Sequence, residues 1–350
     1  MKYIRFFILG VGTGIFILFT SCSKRIYQVS YPALNDGKYD TEFPYRNCSE
    51  ELKQIGETVK LINSIAYYKS YVFDEAGKVR RHQLTPEFIK NNAAHLIYFN
   101  NSTSGTATII LHKHQRVALL TCAHIVDFPD TLVKYFTMED DRPGFYIQSV
   151  AIKVKQTNYV TELWKISELD ILKMDEANDI AILGAELPAT EDFILPVFDY
   201  PIGSAKKLEW GSFVYLMGFP RGYKLITRGI VSDPNRTKNG MFIVDALFNR
   251  GCSGGVVLAV KDGVPNFEFV GIAKSAAAEY EYLIRPADNF DQSKHDLHFP
   301  YTGDLYVDYK ANIQYGVTHV VPVEEIQAFF KKNEDYFIKN GYDFSAFIGK

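Results

Sequence analysis

Ser253 lies in the glycine-rich segment 249–256, the part of the chain whose residue types best suit covalent catalysis. A serine that attacks a carbonyl must be presented on a tight turn, with backbone N–H groups aimed at the developing oxyanion. Gly251 lets the N–H groups of Gly251 and Ser253 converge, which makes them the candidate oxyanion hole. Because glycine and serine also make ordinary turns, the segment predicts a nucleophile only if a base and an acid accompany it.

His124 and Asp179 are the candidate base and acid. His124 follows an apolar run and two small residues, a context that the other seven histidines lack. Asp179 directly precedes the apolar run 180–183, where its carboxylate can accept the imidazole N–H and hold the useful tautomer. Each residue alone also fits a core histidine or a turn aspartate. Together with Ser253, in the chain order His, Asp, Ser, they predict a catalytic triad.

The elements that must position these residues are mostly short β-strands. From residue 94 onward, short apolar runs alternate with turn residues such as Asn100 and Asn101, which favours an all-β barrel or sandwich. Helical spacing of Leu52, Ile55, Val59 and Ile62 predicts a helix from Ser49. A second, short helix is predicted to start at Thr85-Pro86-Glu87, and a third helical stretch opens at residue 321.

Composition excludes several classes of protein. The chain is 47% apolar and 23% charged, which argues against global disorder. A net charge of −3 gives no sign of a nucleic-acid partner. Apart from Cys22 there are three cysteines, Cys48, Cys122 and Cys252, without any CxxC pair. This pattern predicts neither a disulfide scaffold nor a metal site, and no cofactor is expected.

The N-terminus predicts export. Lys2 and Arg5 precede the apolar run 6–20, which is short for a spanning helix and typical of a secretory signal peptide. Cys22 follows small residues and resembles the lipidated cysteine of a bacterial lipobox. We therefore expect lipidation at Cys22 and a location in the bacterial cell envelope, lipid-anchored to a membrane and facing the periplasm or exterior. The alternatives are an uncleaved anchor or a plain secretory signal.

Several segments besides the triad resemble the trypsin-like serine peptidases, and most closely their bacterial Deg/HtrA branch. They are Ser104-Gly105-Thr106, Gly218–Gly222, Thr227–Ser232, Val270–Ala273 and Val321–Ile326. The chain departs from that branch in three ways. We expect no PDZ domain after residue 335, an insertion is apparent at 277–317, and Cys252 stands where Deg proteins usually have Asn.

The resemblance implies two antiparallel six-stranded β-barrels, with an N-terminal helical extension and a C-terminal helix. His124 and Asp179 would belong to the first barrel and Ser253 to the second. The implied segments are a signal peptide at 1–21, a tether and helical extension at 22–90, a peptidase domain at 91–335 and a C-terminal tail at 336–350. Within the domain they are a first barrel at about 91–198, a second at about 199–320 and a closing helix at 322–335.

The implied activity is that of a serine endopeptidase acting on protein or peptide substrates of the envelope through an acyl-enzyme. By resemblance, Leu247 and Phe248 would form the primary pocket, and their apolar side chains predict cleavage after small or medium aliphatic residues. Two alternatives are a thiol nucleophile at Cys252, one residue early for that role, and a catalytically silent lipoprotein that binds peptides or acts as a scaffold. Cys122 and Cys252 are predicted to be small packed residues. The alternative is that the two cysteines form a redox-sensitive pair.

Overall fold

The structure, a computed structural model, describes residues 36–41, 46–137, 143–163, 168–187, 194–286, 298, 300–303 and 305–348. The predicted signal peptide and Cys22 lie outside these residues. The described chain is mainly β, with an open seven-stranded sheet and a closed six-stranded barrel. The predicted mainly β, double-barrel class is confirmed. The first unit differs from the prediction, because it is a half-barrel of seven strands and not a closed barrel of six.

The first sheet has the strand order β4-β5-β1-β2-β3-β7-β6, with neighbouring strands antiparallel. Its strands are β1 (Val59–Val72), β2 (His95–Lys113), β3 (Arg116–Thr121), β4 (Thr131–Thr137), β5 (Pro143–Val160), β6 (Asp170–Asp175) and β7 (Ile180–Glu186).

The closed barrel has the order β10-β13-β12-β11-β8-β9. Its strands are β8 (Phe213–Gly218), β9 (Leu225–Asp233), β10 (Phe242–Val244), β11 (Val256–Val260), β12 (Phe267–Pro286) and β13 (Leu305–Pro322). The last two continue beyond the barrel as a hairpin, paired out to Pro286 and Leu305. Most of the apparent insertion at 277–317 is therefore this two-stranded extension, although residues 287–297 fall outside the described chain.

In the part of the chain that the structure describes, the α-helices are few and short. They are α1 (Ser49–Thr58), α2 (Pro86–Asn92), α3 (Ala123–Val126), α4 (Val323–Lys332), α5 (Glu334–Lys339) and α6 (Ser345–Ile348). The predicted helices at Ser49, Thr85 and residue 321 are present, and the Thr85 side chain caps α2 by accepting from the Phe88 N–H. Among the described residues, no helix combines the length and the apolar character that crossing a membrane requires.

Residues 59–72 are a strand, so the predicted helix is wrong beyond Thr58. Val59 and Ile62 fit a helical spacing, but burial alternates residue by residue from Leu61 to Ser70. β-branched and aromatic side chains favour such a half-buried strand. β1 pairs with both β2 and β5. The segment assigned from the sequence to the extension is therefore a central strand of the first sheet.

The C-terminal residues pack against the core. Phe330 is fully buried in α4, and its ring lies 4.7 Å from that of Phe344 and 5.0 Å from that of Phe347. Phe347 in turn meets Phe269 of the barrel edge-on. The segment predicted as a tail at 336–350 thus adds aromatic side chains to the hydrophobic core, which holds the closing helix against both β-units.

Candidate active site

His124 lies three residues beyond the end of β3, a strand that is buried from Val117 to Thr121. β3 is apolar and lies between β2 and β7, so its end is fixed by pairing on both sides. Cys122 is the N-cap residue of α3, and His124 is the second residue of that helix. Its neighbours Cys122 and Ala123 are buried, whereas the histidine side chain is 46% exposed. The strand therefore presents an accessible imidazole on a rigid support.

Asp179 holds this imidazole from the start of β7. Its side chain is 6% exposed, and its carboxylate oxygens lie 2.9 and 3.0 Å from His124 Nδ1. Oδ1 also accepts the backbone N–H of His124 at 2.9 Å. Asp179 has a φ of 60°, a left-handed conformation that aspartate tolerates better than most residues. A carboxylate on Nδ1 favours the tautomer with the proton on Nδ1, which leaves Nε2 free to accept a proton.

Ser253 lies on a turn that only glycine can build. Gly251 and Gly254 have φ values of 99° and 82°, and a Cβ on Gly254 would lie 2.1 Å from the Thr106 carbonyl oxygen. The Ser253 hydroxyl donates to the Lys274 carbonyl oxygen at 3.1 Å, and within the described residues it makes no hydrogen bond to His124. The structure thus brings His124 and Asp179 together directly, and it places Ser253 in the same cleft as both.

One hydrogen bond orients the predicted oxyanion hole. The Arg221 N–H donates to the Arg250 carbonyl at 2.8 Å. Carbonyl and N–H point in opposite directions in a trans peptide, so this bond turns the Gly251 N–H away from Arg221. In the described part of the chain, neither the Gly251 nor the Ser253 N–H has an acceptor. Both donors are therefore available to a developing negative charge.

Thr106 joins the two β-units at the site. From β2 of the first sheet, its N–H donates to the Ser253 carbonyl at 2.8 Å and its hydroxyl to the Gly251 carbonyl at 2.6 Å. The same hydroxyl accepts the Phe219 N–H at 2.9 Å. Thr106 is fully buried, so these bonds are shielded from water and fix the Ser253 turn against β2. In the sequence, Thr106 stands out only as part of the Ser104-Gly105-Thr106 segment that resembles the family.

The cleft that contains the three residues has a volume of about 1040 Å³. Phe248 lies on its wall, whereas Leu247 is 68% exposed and lines a neighbouring groove of about 620 Å³. Of the two residues predicted to form the primary pocket, the structure therefore places only Phe248 beside Ser253.

Comparison with known proteins agrees with this geometry. Residues 105–272 match the model of the trypsin-like peptidase domain family, a span that includes His124, Asp179 and Ser253. The chain carries a trypsin-like peptidase domain. This match confirms the resemblance to trypsin-like serine peptidases that the sequence predicted.

Two solved structures are similar to parts of this peptidase. One is the serine endoprotease from Yersinia pestis, with 16% identity, a TM-score of 0.38 and coverage of 86% of this chain and 70% of that chain. Another is Deg5, with 16% identity, a TM-score of 0.33 and coverage of 66% and 87%. Likenesses at this level add nothing to the family assignment. No curated protein matches the chain.

The cysteines of the peptidase near the site are buried thiols. Burial raises the pKa of Cys122 well above its usual value, with a further contribution from the Asp179 charge, and burial also raises the pKa of Cys252. A protonated thiol is a poor nucleophile. These environments do not favour the alternative in which Cys252 attacks the substrate.

A metal ion bound by Cys122, His124 and Asp179 would have to compete with the hydrogen bonds that these side chains already make. The donor atoms of Cys122, His124 and Asp179 lie within 4.8 Å of one another. However, a thiol binds metals as the thiolate, and both the raised pKa and a hydrogen bond from Cys122 to the Ala273 carbonyl oppose that form. The arrangement suits acid–base chemistry by the imidazole better than metal coordination.

Proposed function

We propose that this chain is a serine endopeptidase in which Ser253 is the nucleophile, His124 the general base and Asp179 the residue that orients the base. The observation that carries the proposal is the pair of bonds from Asp179 to His124 Nδ1, in the same cleft as Ser253. Asp179 would also stabilise the imidazolium formed when Nε2 takes the serine proton.

The first step requires the Ser253 hydroxyl to leave the Lys274 carbonyl and turn towards Nε2, a rotation about a single bond. Catalytic hydrogen bonds are often long or misaligned without substrate. Oγ then bonds to the scissile carbonyl carbon, and the carbonyl π electrons move to oxygen. The N–H groups of Gly251 and Ser253 would hold this oxyanion, each contributing about 2.7–4 kcal/mol. His124 next protonates the leaving amine, and water releases the acid product by the same route.

Specificity for an aliphatic residue before the scissile bond is supported by the charges of the cleft. Arg221, Arg250 and Lys274 line it, against two acids, Glu176 and Asp179. A substrate Arg or Lys would meet these cations, and burying an unpaired cation against Phe248 costs free energy. Leu247 lines the neighbouring groove, so the apolar wall of the proposed primary pocket is Phe248. A peptide-library digest with dominant cleavage after Arg or Lys would refute it.

Hydrolysis of casein by matched variants tests the proposed function. Ser253→Ala and His124→Ala should each abolish cleavage, while Cys252→Ala should retain most of it. Loss of activity only in Cys252→Ala would mean that the nucleophile is the thiol. Peptide binding without cleavage by the unmodified chain would favour the silent binding protein.

The anchor is proposed from the sequence alone. We expect lipidation of Cys22 to attach the peptidase to a membrane of the envelope, where it would act on envelope proteins. Cys22→Ser should shift the protein from the membrane fraction to the soluble extracytoplasmic fraction. An intact mass of the unmodified protein that still includes residues 1–21 would contradict this proposal.

A further inference from the structure

β2 has a long open edge. It pairs with β1 from His95 to Thr108 without a shift of register, but with β3 only from Thr108 onward. Within the described residues, no other strand pairs with residues 95–105. In the described chain, this half of β2 therefore has a hydrogen-bonded strand on one side only.

The outward-facing backbone groups can be identified by alternation along the strand. The Thr106 N–H points away from β1, since it reaches the Ser253 carbonyl. In an antiparallel pair, alternate residues direct their N–H and C=O to the same side. Because the register with β1 is continuous, the even-numbered residues from Leu96 to Ser104 direct both groups to the open edge. None of these N–H groups has an acceptor within the described chain.

One end of this edge lies in the catalytic cleft. Ser102, Thr103 and Ser104 line the cleft together with His124 and Ser253. An extended chain held at Ser253 therefore meets the β2 edge as it leaves the cleft. From Ser104 to Leu96 the edge is about 26 Å long, at roughly 3.3 Å per residue.

We propose that the β2 edge, residues 96–104, takes an extended segment of the substrate as an added β-strand. The substrate class is then an unfolded or extended polypeptide, which pairs with the enzyme for many residues on one side of the scissile bond. This proposal rests on the proposed function, because it identifies the occupant of the edge as the chain being cleaved. Main-chain pairing of this kind gives affinity, and alternate side chains give selectivity.

The side chains along the edge set a preference. Near the cleft they are polar, from Asn100 to Ser104. Further out, Ile97 and Tyr98 are 51% and 66% exposed, beside the partly exposed Leu96 and Phe99. A segment with small or polar residues near the scissile bond and apolar residues further along fits this order. Such apolar residues are exposed in an unfolded protein and buried in a folded one.

The edge also lacks the devices that protect strand edges. Proline, charged side chains and bulges usually prevent unwanted pairing. Residues 96–104 contain neither proline nor charge, and the pairing with β1 has no bulge there. Because Ser102, Thr103 and Ser104 line the cleft, a second copy paired along the whole edge would occupy the mouth of the cleft, which favours the substrate as the occupant.

Asn100→Pro tests the edge, with Asn100→Ala as its matched control. Proline removes the outward N–H and leaves the ladder to β1 intact, whereas alanine keeps the N–H. The probe is fluorescein-labelled α-lactalbumin, reduced and carboxymethylated so that it stays unfolded. Binding is measured by anisotropy with the full chain carrying Ser253→Ala. We expect Asn100→Pro to weaken binding about tenfold and Asn100→Ala to leave it nearly unchanged.

Kinetics of the active enzyme give the second readout. The KM for a long unstructured peptide should be at least about tenfold below that for a four-residue p-nitroanilide, because only the long peptide reaches the edge. Equal KM values would overturn the proposal without any variant. The proposal would also be overturned if Asn100→Pro left binding of the labelled α-lactalbumin unchanged but dissociated an oligomer of the enzyme. The edge would then pair copies of the chain. If nothing is cleaved but binding still depends on the Asn100 N–H, the proposed function fails and the edge site stands.

Discussion

Gly251→Ala should inactivate the enzyme through the backbone. A Cβ at this position would lie 2.2 Å from the Phe219 carbonyl oxygen and 3.3 Å from the Arg221 nitrogen. Real Cβ atoms do not approach backbone this closely, so the Phe219–Arg221 turn or the Ser253 turn has to move. The bond from Arg221 to the Arg250 carbonyl, which orients the Gly251 N–H, joins these two turns.

The magnitude follows from the loss of one oxyanion donor. Removal of such a donor costs about 2.7–4 kcal/mol of transition-state stabilisation, or roughly 10²–10³ in kcat. The φ of 99° at Gly251 adds a cost to stability of about 1–2 kcal/mol for any residue with a Cβ. We therefore expect kcat to fall by two to three orders of magnitude, and the free energy of unfolding to fall as well.

Gly211→Ala is the matched control. Gly211 has a φ of 84°, but a Cβ there would meet nothing closer than 3.9 Å. It should lose a similar free energy of unfolding in urea and keep its kcat on a chromogenic peptide. If Gly251→Ala retained wild-type kcat, the Gly251 N–H would not be an oxyanion donor. An equal loss of kcat in both variants would show that the effect is general destabilisation.

Two further predictions concern the neighbours of the nucleophile. Asp179→Asn should lower kcat by a factor on the order of 10⁴. The amide oxygen would accept the backbone N–H of His124, as Oδ1 does now, and the NH₂ group would then face Nδ1 and select the wrong tautomer. Retention of kcat in a steady-state assay would refute this role. Cys122 and Cys252 should resist iodoacetamide at neutral pH in the native protein, since burial raises the pKa of both thiols. Both should react once the protein is unfolded in urea. Rapid alkylation of the folded protein, detected by peptide mass mapping, would contradict their burial.

The sequence predicted the contact between His124 and Asp179 because each residue lies at the end of an apolar run. β3 and β7 pair with each other, so the His124 end of one lies beside the Asp179 end of the other. Local pattern is sufficient when strands are short, apolar and bounded by distinct residues. The Ser253 turn is recognisable because its glycines can adopt the positive φ values that the turn requires.

Elements that depend on long-range pairing were not predictable in this way. Val59 and Ile62 fit a helix as well as a strand, and only pairing with β2 and β5 decides between them. Asn100 and Asn101 favour a turn locally, but β2 runs through them because β1 pairs along their whole length. The role of Thr106 depends on contacts with residues more than a hundred positions away, which spacing along the chain does not reveal.

Labelling with a fluorophosphonate, followed by peptide mapping, tests the central claim most directly, because the reagent reacts only with a serine activated by its neighbours. The account predicts a single adduct on Ser253 in the unmodified chain and none in Ser253→Ala or His124→Ala. An adduct on another residue, or none on folded protein that cleaves casein, would contradict the assignment of Ser253 as the nucleophile.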